Sequence, residues 1–184
     1  NGGVPKDGNT IVQDCKVGLI GVRREENSLS FAAPPLLKSG PVDDALIHEA
    51  AESLGIGRDA IIDAAWIDNG PGWLGILLAS ADEVLAIQPK PMKLTLGVAG
   101  AHTAESPFAY EVRAFYSSNG ITLEDPVTGS LNASLAQWLI SSGRFNAPYL
   151  ASQGTAIGYS GVVKVDVDDS HVVWIGGHVA TCIS

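Results

Sequence analysis

The sequence predicts an α+β fold: a curled, mostly antiparallel sheet wrapped round one central buried helix spanning about residues 126–142. Three observations carry that reading. No charged residue stands between Asp125 and Arg144, although Leu131, Leu135, Trp138 and Leu139 recur at three- and four-residue spacing. A surface helix carries charges on its outer side, so a charge-free one is enclosed all round. β-like runs lie both before and after this helix, and frequent glycines ease the bending of strands that enclose it.

The elements follow in order. Residues 1–9 form a loose start, and Thr10 to Arg24 alternates well enough for one or two strands. A turn at Glu25–Ser28 returns the chain as a strand to Ala33, ended by Pro34-Pro35, a hairpin with no further partner upstream. Leu36 to Pro41 reads as a linker. Val42-Asp43-Asp44 opens a helix with acidic residues in its first turn and a stripe of Ile47, Ala50, Ala51 and Leu54, and Gly55 stops it. His48 and Glu49 fall on its wet face. Ala64–Asp68 and Trp73–Ala79 make a hairpin through Asn69-Gly-Pro-Gly72. A helical turn at Ala81–Gln88, a strand at Lys93–Ala99 and a strand at Phe108–Tyr116 follow, and the loop Ser117–Gly120 leads to the central motif. Beyond the helix, which Gly143 ends, strands are expected at Tyr149–Gly154, Gly161–Val167 and His171–Ile183.

Composition excludes several classes. With 46% hydrophobic and 17% charged residues the 184-residue chain has a large core, and its net charge of −9 argues against nucleic acid or an anionic membrane as partner. No apolar run is long enough for a membrane span and the first residues are no signal peptide, so a cytoplasmic location is expected. Cys15 and Cys182 read as reduced core thiols. His48, His102, His171 and His178 lack ligand spacing, so no metal is expected. Met92 is the only methionine; residue 1 is then no initiator, and a trimmed chain is expected.

Chemistry concentrates in Asp125-Pro-Val-Thr-Gly-Ser130. A helix N-terminus attracts anions, and here a carboxylate stands beside it, an arrangement suited to proton transfer next to a bound carboxylate. The residues alone favour a core helix merely capped by Asp125 or Thr128, since capping is the commonest use of Asp and Thr at a helix start. Ser130 has neither a nucleophile elbow nor a histidine placed to activate it, which disfavours a hydrolase.

At these residues the chain resembles the PhzF-like phenazine-biosynthesis family, whose members share the diaminopimelate-epimerase fold. Glu124-Asp-Pro-Val-Thr-Gly-Ser-Leu-Asn-Ala133 and Val112-Arg-Ala-Phe115 carry the likeness, with Asp68-Asn-Gly-Pro71, Gln153-Gly154 and Gly176-Gly177 in support. The resemblance implies two lobes, each a curled sheet round a helix, with a cleft between them and a cofactor-independent isomerase or epimerase acting on a small carboxylate. It implies catalytic roles for Asp125 and Ser130, and substrate binding by Asn69, Thr128, Gly129 and Ser130. Residues 1–38 then correspond to a remnant of the N-terminal lobe with its linker, and 39–184 to the C-terminal lobe. The family's catalytic glutamate and its Gly-His-Pro-Thr-like motif have no equivalent here, nor does an arginine stand near Gly158–Gly161, so the chain alone is expected to be inactive. A homodimer, or association with the missing N-terminal segment, is the expected assembly. The alternative is a non-catalytic carboxylate-binding or assembly module of the same shape.

Overall fold

Successive side chains of a strand point to opposite faces, and the middle strands of this chain are apolar on both. The computed structural model describes residues 8, 10–15, 17–25 and 28–179. Its strands are β1 (Thr10–Cys15), β2 (Gly18–Glu25), β3 (Ser28–Ala32), β4 (Lys38–Pro41), β5 (Asp63–Asp68), β6 (Leu74–Leu78), β7 (Leu96–Ala101), β8 (Tyr110–Ser118), β9 (Ile121–Asp125), β10 (Tyr149–Gln153), β11 (Gly161–Val167) and β12 (Val173–His178). The helices among the described residues are α1 (Asp44–Leu54), α2 (Ala81–Ala86) and α3 (Gly129–Ser141).

The twelve strands of the described residues form one open, mixed sheet in the order β1-β2-β3-β12-β11-β10-β8-β7-β6-β5-β4, with β9 paired to β8. Its pairings are antiparallel except β6 with β7 and β8 with β10. The first hairpin finds its partner at the far end of the chain, where β3 pairs with β12 through Phe31 and Ile175. Arg23 of β2 reaches across to stack on Trp174 and bond Asp168 at 2.8 Å. The Trp174 indole N–H, then the Val172 N–H, hold the Asp168 carboxyl below the usual range.

Alternation splits the core in two. Tyr110, Val112 and Ala114 of β8 turn to one face, with Leu77, Ala99, Val163, Val165 and Ile175, and pack with Leu131, Leu135 and Leu139 of α3. Leu74, Ile76, Leu96, Val98 and Phe115 turn to the other, against Ala50, Ala51 and Leu54 of α1 and Val84 of α2. No residue from Gly129 to Ile140 is exposed, which explains the missing charges.

Helix α1 follows its sequence signals. Asp43 accepts the Leu46 N–H at 2.9 Å, and Gly55 ends the helix at φ 73°. His48 and Glu49 are exposed as expected.

Four expectations need correction. The expected linker at 36–41 holds the edge strand β4, paired to β5, where Pro41 is tolerated because an edge need not donate on both sides. The loop at 117–120 continues into β9, turned by Asn119 and Gly120 at φ 52° and 77°. Ile121 and Leu123 are exposed on β9, so its apolar residues do not mark a buried face. Helix α3 starts at Gly129, and Pro126 lies in the bend before it rather than in its first turn. Cys15 is half-buried on the edge strand β1, its thiol on the Gly18 carbonyl at 3.2 Å, and so is not a core residue. Cys182 and the expected strand end at 180–183 lie outside the described residues.

The close approach of α3 depends on glycines in the strands beneath it. A Cβ at Gly97 collides with the Leu131 side chain, and one at Gly75 comes within 2.8 Å of Ile67 and 3.0 Å of Trp138. Gly97→Ala is therefore expected to destabilise the fold by about 1–3 kcal/mol through overpacking. Urea unfolding reads this directly, and an unchanged midpoint refutes it.

No helix among the described residues is long and apolar enough to cross a membrane.

Candidate functional site

Strand β9 delivers Asp125, and Pro126-Val127-Thr128 then turns the chain into α3. The N-cap position is Thr128, in an extended conformation, yet no side chain caps the helix there. The expected capping by Asp125 or Thr128 fails because the two side chains bond each other: the Thr128 hydroxyl lies 2.7 Å from Asp125 Oδ2. The first-turn N–H groups of α3 thus keep their positive end of the helix dipole without a side-chain cap.

Gln153, at the end of β10 and fully buried, knits this bend together. Its Oε1 accepts the Thr128 N–H at 3.0 Å and Asn132 Nδ2 at 2.8 Å. Its Nε2 donates to the Asp125 carbonyl at 2.9 Å and to Thr128 Oγ1 at 3.0 Å. Asn132 also donates to the Thr128 carbonyl at 2.9 Å. Thr128 is 7% exposed, and its hydroxyl and amide are both engaged in this network.

Asn69 comes to the same helix end from the β5–β6 turn. Asp68 Oδ1 accepts the N–H groups of Gly70 and Gly72 at 2.7 and 2.6 Å and so fixes that turn. Asn69 Nδ2 donates to the Ser130 carbonyl at 2.9 Å, while its buried Oδ1 has no partner among the described residues. The Trp73 indole N–H donates to Ser130 Oγ at 3.1 Å.

A cavity of about 550 Å³ opens beside the motif, lined among others by Phe31, Val127, Gly129, Gly161, Ile175 and Gly177. A Cβ at Gly129 sits 3.2 Å from the Phe31 ring, so glycine keeps the helix start close to β3. His178 is the titratable residue on this wall among the described residues.

The structure therefore joins Asp125 to Thr128 and Asn69 to Ser130, and puts Gly129 on the cavity wall. Asp125, Ser130, Thr128 and Asn69 are not among that cavity's lining residues. Sequence reasoning quoted Gln153, Asn132 and Trp73 within its motifs and strands but gave none of them a role. A polar Asn132 within a charge-free helix is a signal that could have been read, since a buried amide demands partners.

The phenazine biosynthesis-like family model (PhzC-PhzF) matches residues 1–184. Antisense-enhancing sequence 1 of Schizosaccharomyces pombe is 30% identical, over 95% of this chain and 65% of its own length. An uncharacterized isomerase of Pasteurella multocida is 27% identical, over 92% of this chain and 60% of its own. The chain thus spans 65% and 60% of the length of these curated relatives. Among solved structures, a PhzF-family phenazine biosynthesis protein of Bacillus anthracis matches with a TM-score of 0.67 at 17% identity, covering 94% of this chain and 66% of that one, a likeness of fold.

Proposed function

The chain belongs to the phenazine biosynthesis-like family, and from that premise we propose that it forms part of a cofactor-independent isomerase or epimerase that moves a proton beside the carboxylate of a small metabolite. One observation carries the reading: the uncapped start of a thirteen-residue helix lies directly beside a carboxylate that its own motif holds in place. The amides of Gly129 and Ser130, with the Ser130 hydroxyl, take the substrate carboxylate, and the helix end stabilises negative charge that develops next to it. Thr128 shapes this binding turn, Asn69 supports it through the Ser130 carbonyl, and Asp125 exchanges the proton.

In this reading the sheet curls round α3, residues 39–184 form one lobe, and residues 1–38 belong with the other. That other lobe supplies the second acid–base group. On this division the junction falls where β3 pairs with β12, and the cavity between Phe31, Gly129 and Ile175 opens beside that pairing.

The test is deuterium uptake at the α-carbon of small amino, hydroxy and keto acids incubated in D₂O with the whole protein, followed by NMR. Uptake in one or a few of them is the expected result. No uptake in any sinks the isomerase reading, and carboxylate binding without uptake favours the binding module instead.

The same reading expects assembly, with a second copy or with the rest of the first lobe. Val12 and Leu19 are 62% and 70% exposed on β1 and β2, next to an open sheet edge. Sedimentation of these 184 residues at high concentration is expected to show self-association, and a clean monomer counts against it.

A further inference from the structure

We infer that Gln153, acting through Thr128, reserves Oδ2 of Asp125 as a hydrogen-bond acceptor and leaves Oδ1 as the oxygen that exchanges a proton with substrate. The inference rests on the proposed function and names the atom that performs it.

Backbone groups of fixed polarity set the direction of each bond around Gln153. A peptide N–H can only donate and a carbonyl can only accept. The Thr128 N–H at 3.0 Å therefore identifies one end of the Gln153 amide as oxygen, and the Asp125 carbonyl at 2.9 Å identifies the other as nitrogen. Asn132 agrees, because its Nδ2 bridges the Thr128 carbonyl and Gln153 Oε1. Gln153 Nε2 has two protons. One goes to the Asp125 carbonyl, and the other goes to Thr128 Oγ1 at 3.0 Å.

The Thr128 hydroxyl thus already accepts, and its own single proton must find an acceptor in a site that is 7% exposed. Asp125 Oδ2 at 2.7 Å is that acceptor, a short distance that fits a charge-assisted O–H···O⁻ bond. A proton on Oδ2 would instead leave the Thr128 hydroxyl proton unpartnered inside the protein, which costs more than the bond returns. The chain of donation runs one way: Gln153 to Thr128 to Asp125. When Asp125 gains a proton it gains it on Oδ1, which has no hydrogen-bond partner among the described residues. When it loses that proton, Thr128 and Gln153 need not reorient. Gln153 and Thr128 are accordingly positioning residues: each sets the direction of the carboxylate without meeting the reacting carbon.

Two measurements test this on the whole protein. In the first, proton NMR of the ligand-free wild type is expected to show a Thr128 hydroxyl proton protected from exchange, with a cross-relaxation peak to the Gln153 side-chain amide. A hydroxyl proton in fast exchange with water, or an amide end turned the other way, overturns the inference. In the second, deuterium uptake is followed with the acid from the panel above that exchanges fastest. Thr128→Val and Gln153→Leu are each expected to lower kcat by about tenfold to a hundredfold, the range for a misdirected catalytic group, with KM held within about threefold. Thr128→Ser keeps the hydroxyl and recovers most of the rate lost in Thr128→Val. Uptake that Thr128→Val and Gln153→Leu leave untouched overturns this inference alone, whereas a wild type that exchanges no acid overturns the functional reading beneath it.

Discussion

Replacing Arg113 by alanine is expected to destabilise the fold by about 3–5 kcal/mol, the range for breaking a buried ion pair by removing one partner. The Arg113 and Glu124 side chains are 5% and 9% exposed. Their pairing is two-pronged, Nε to Oε1 at 2.9 Å and Nη2 to Oε2 at 2.7 Å. The remaining nitrogen donates to the carbonyls of Val84 and Ile87 at 3.2 and 2.8 Å, so the same guanidinium ties the end of α2 to β8 and β9. Alanine leaves the Glu124 carboxylate and the Ile87 carbonyl buried without that donor, while the Val84 carbonyl keeps the Ile87 N–H at 3.3 Å. Lysine brings one ammonium in place of a planar fork and should recover part of the loss. Urea unfolding of the two variants measures it, and an alanine variant within about 1 kcal/mol of the wild type sinks the claim.

Asp125→Asn is expected to lower the α-proton exchange rate by about 10²–10⁴-fold, the usual worth of a general acid or base. Asparagine has nearly the same shape and still offers the Thr128 hydroxyl an oxygen acceptor, so the bend before α3 should survive. What it cannot do is take and return a proton. The comparison is made at matched folding, with the melting transition of each protein measured alongside. A rate within about tenfold of the wild type removes Asp125 from the acid–base role, since that lies below the range just given.

Glu124 and Asp125 separate what a sequence records from what a fold adds. In the sequence they are neighbouring carboxylates at the head of one motif, and nothing local separates them. On β9 they point to opposite faces, because successive strand residues do. Glu124 therefore meets Arg113 and becomes part of the framework, while Asp125 meets Thr128 and enters the candidate site. Their division of labour depends on β9, a strand the sequence reading left unassigned between the loop at 117–120 and the motif.

Much of the fold was legible because it rests on local periodicity and local hydrogen bonding. Helix α1 with its Asp43 cap and Gly55 stop, the hairpin through Asn69–Gly72, and the charge-free stretch of α3 each depend on residues a few positions apart. The short edge strand β4 was not legible, since its four residues, Lys-Ser-Gly-Pro, become a strand only through the neighbour β5.

The motif's chemistry divides in the same way. By itself the sequence determined that a helix lies at about 126–142, that it is buried, and that polar residues gather near its start. Only the tertiary structure decided that Thr128 holds Asp125 instead of capping the helix, and that Gln153, 28 positions beyond Asp125, sets the direction of that bond. The physical reason is that periodicity records which face of an element is buried, whereas a hydrogen bond between buried groups depends on which distant strand packing brings within 3 Å.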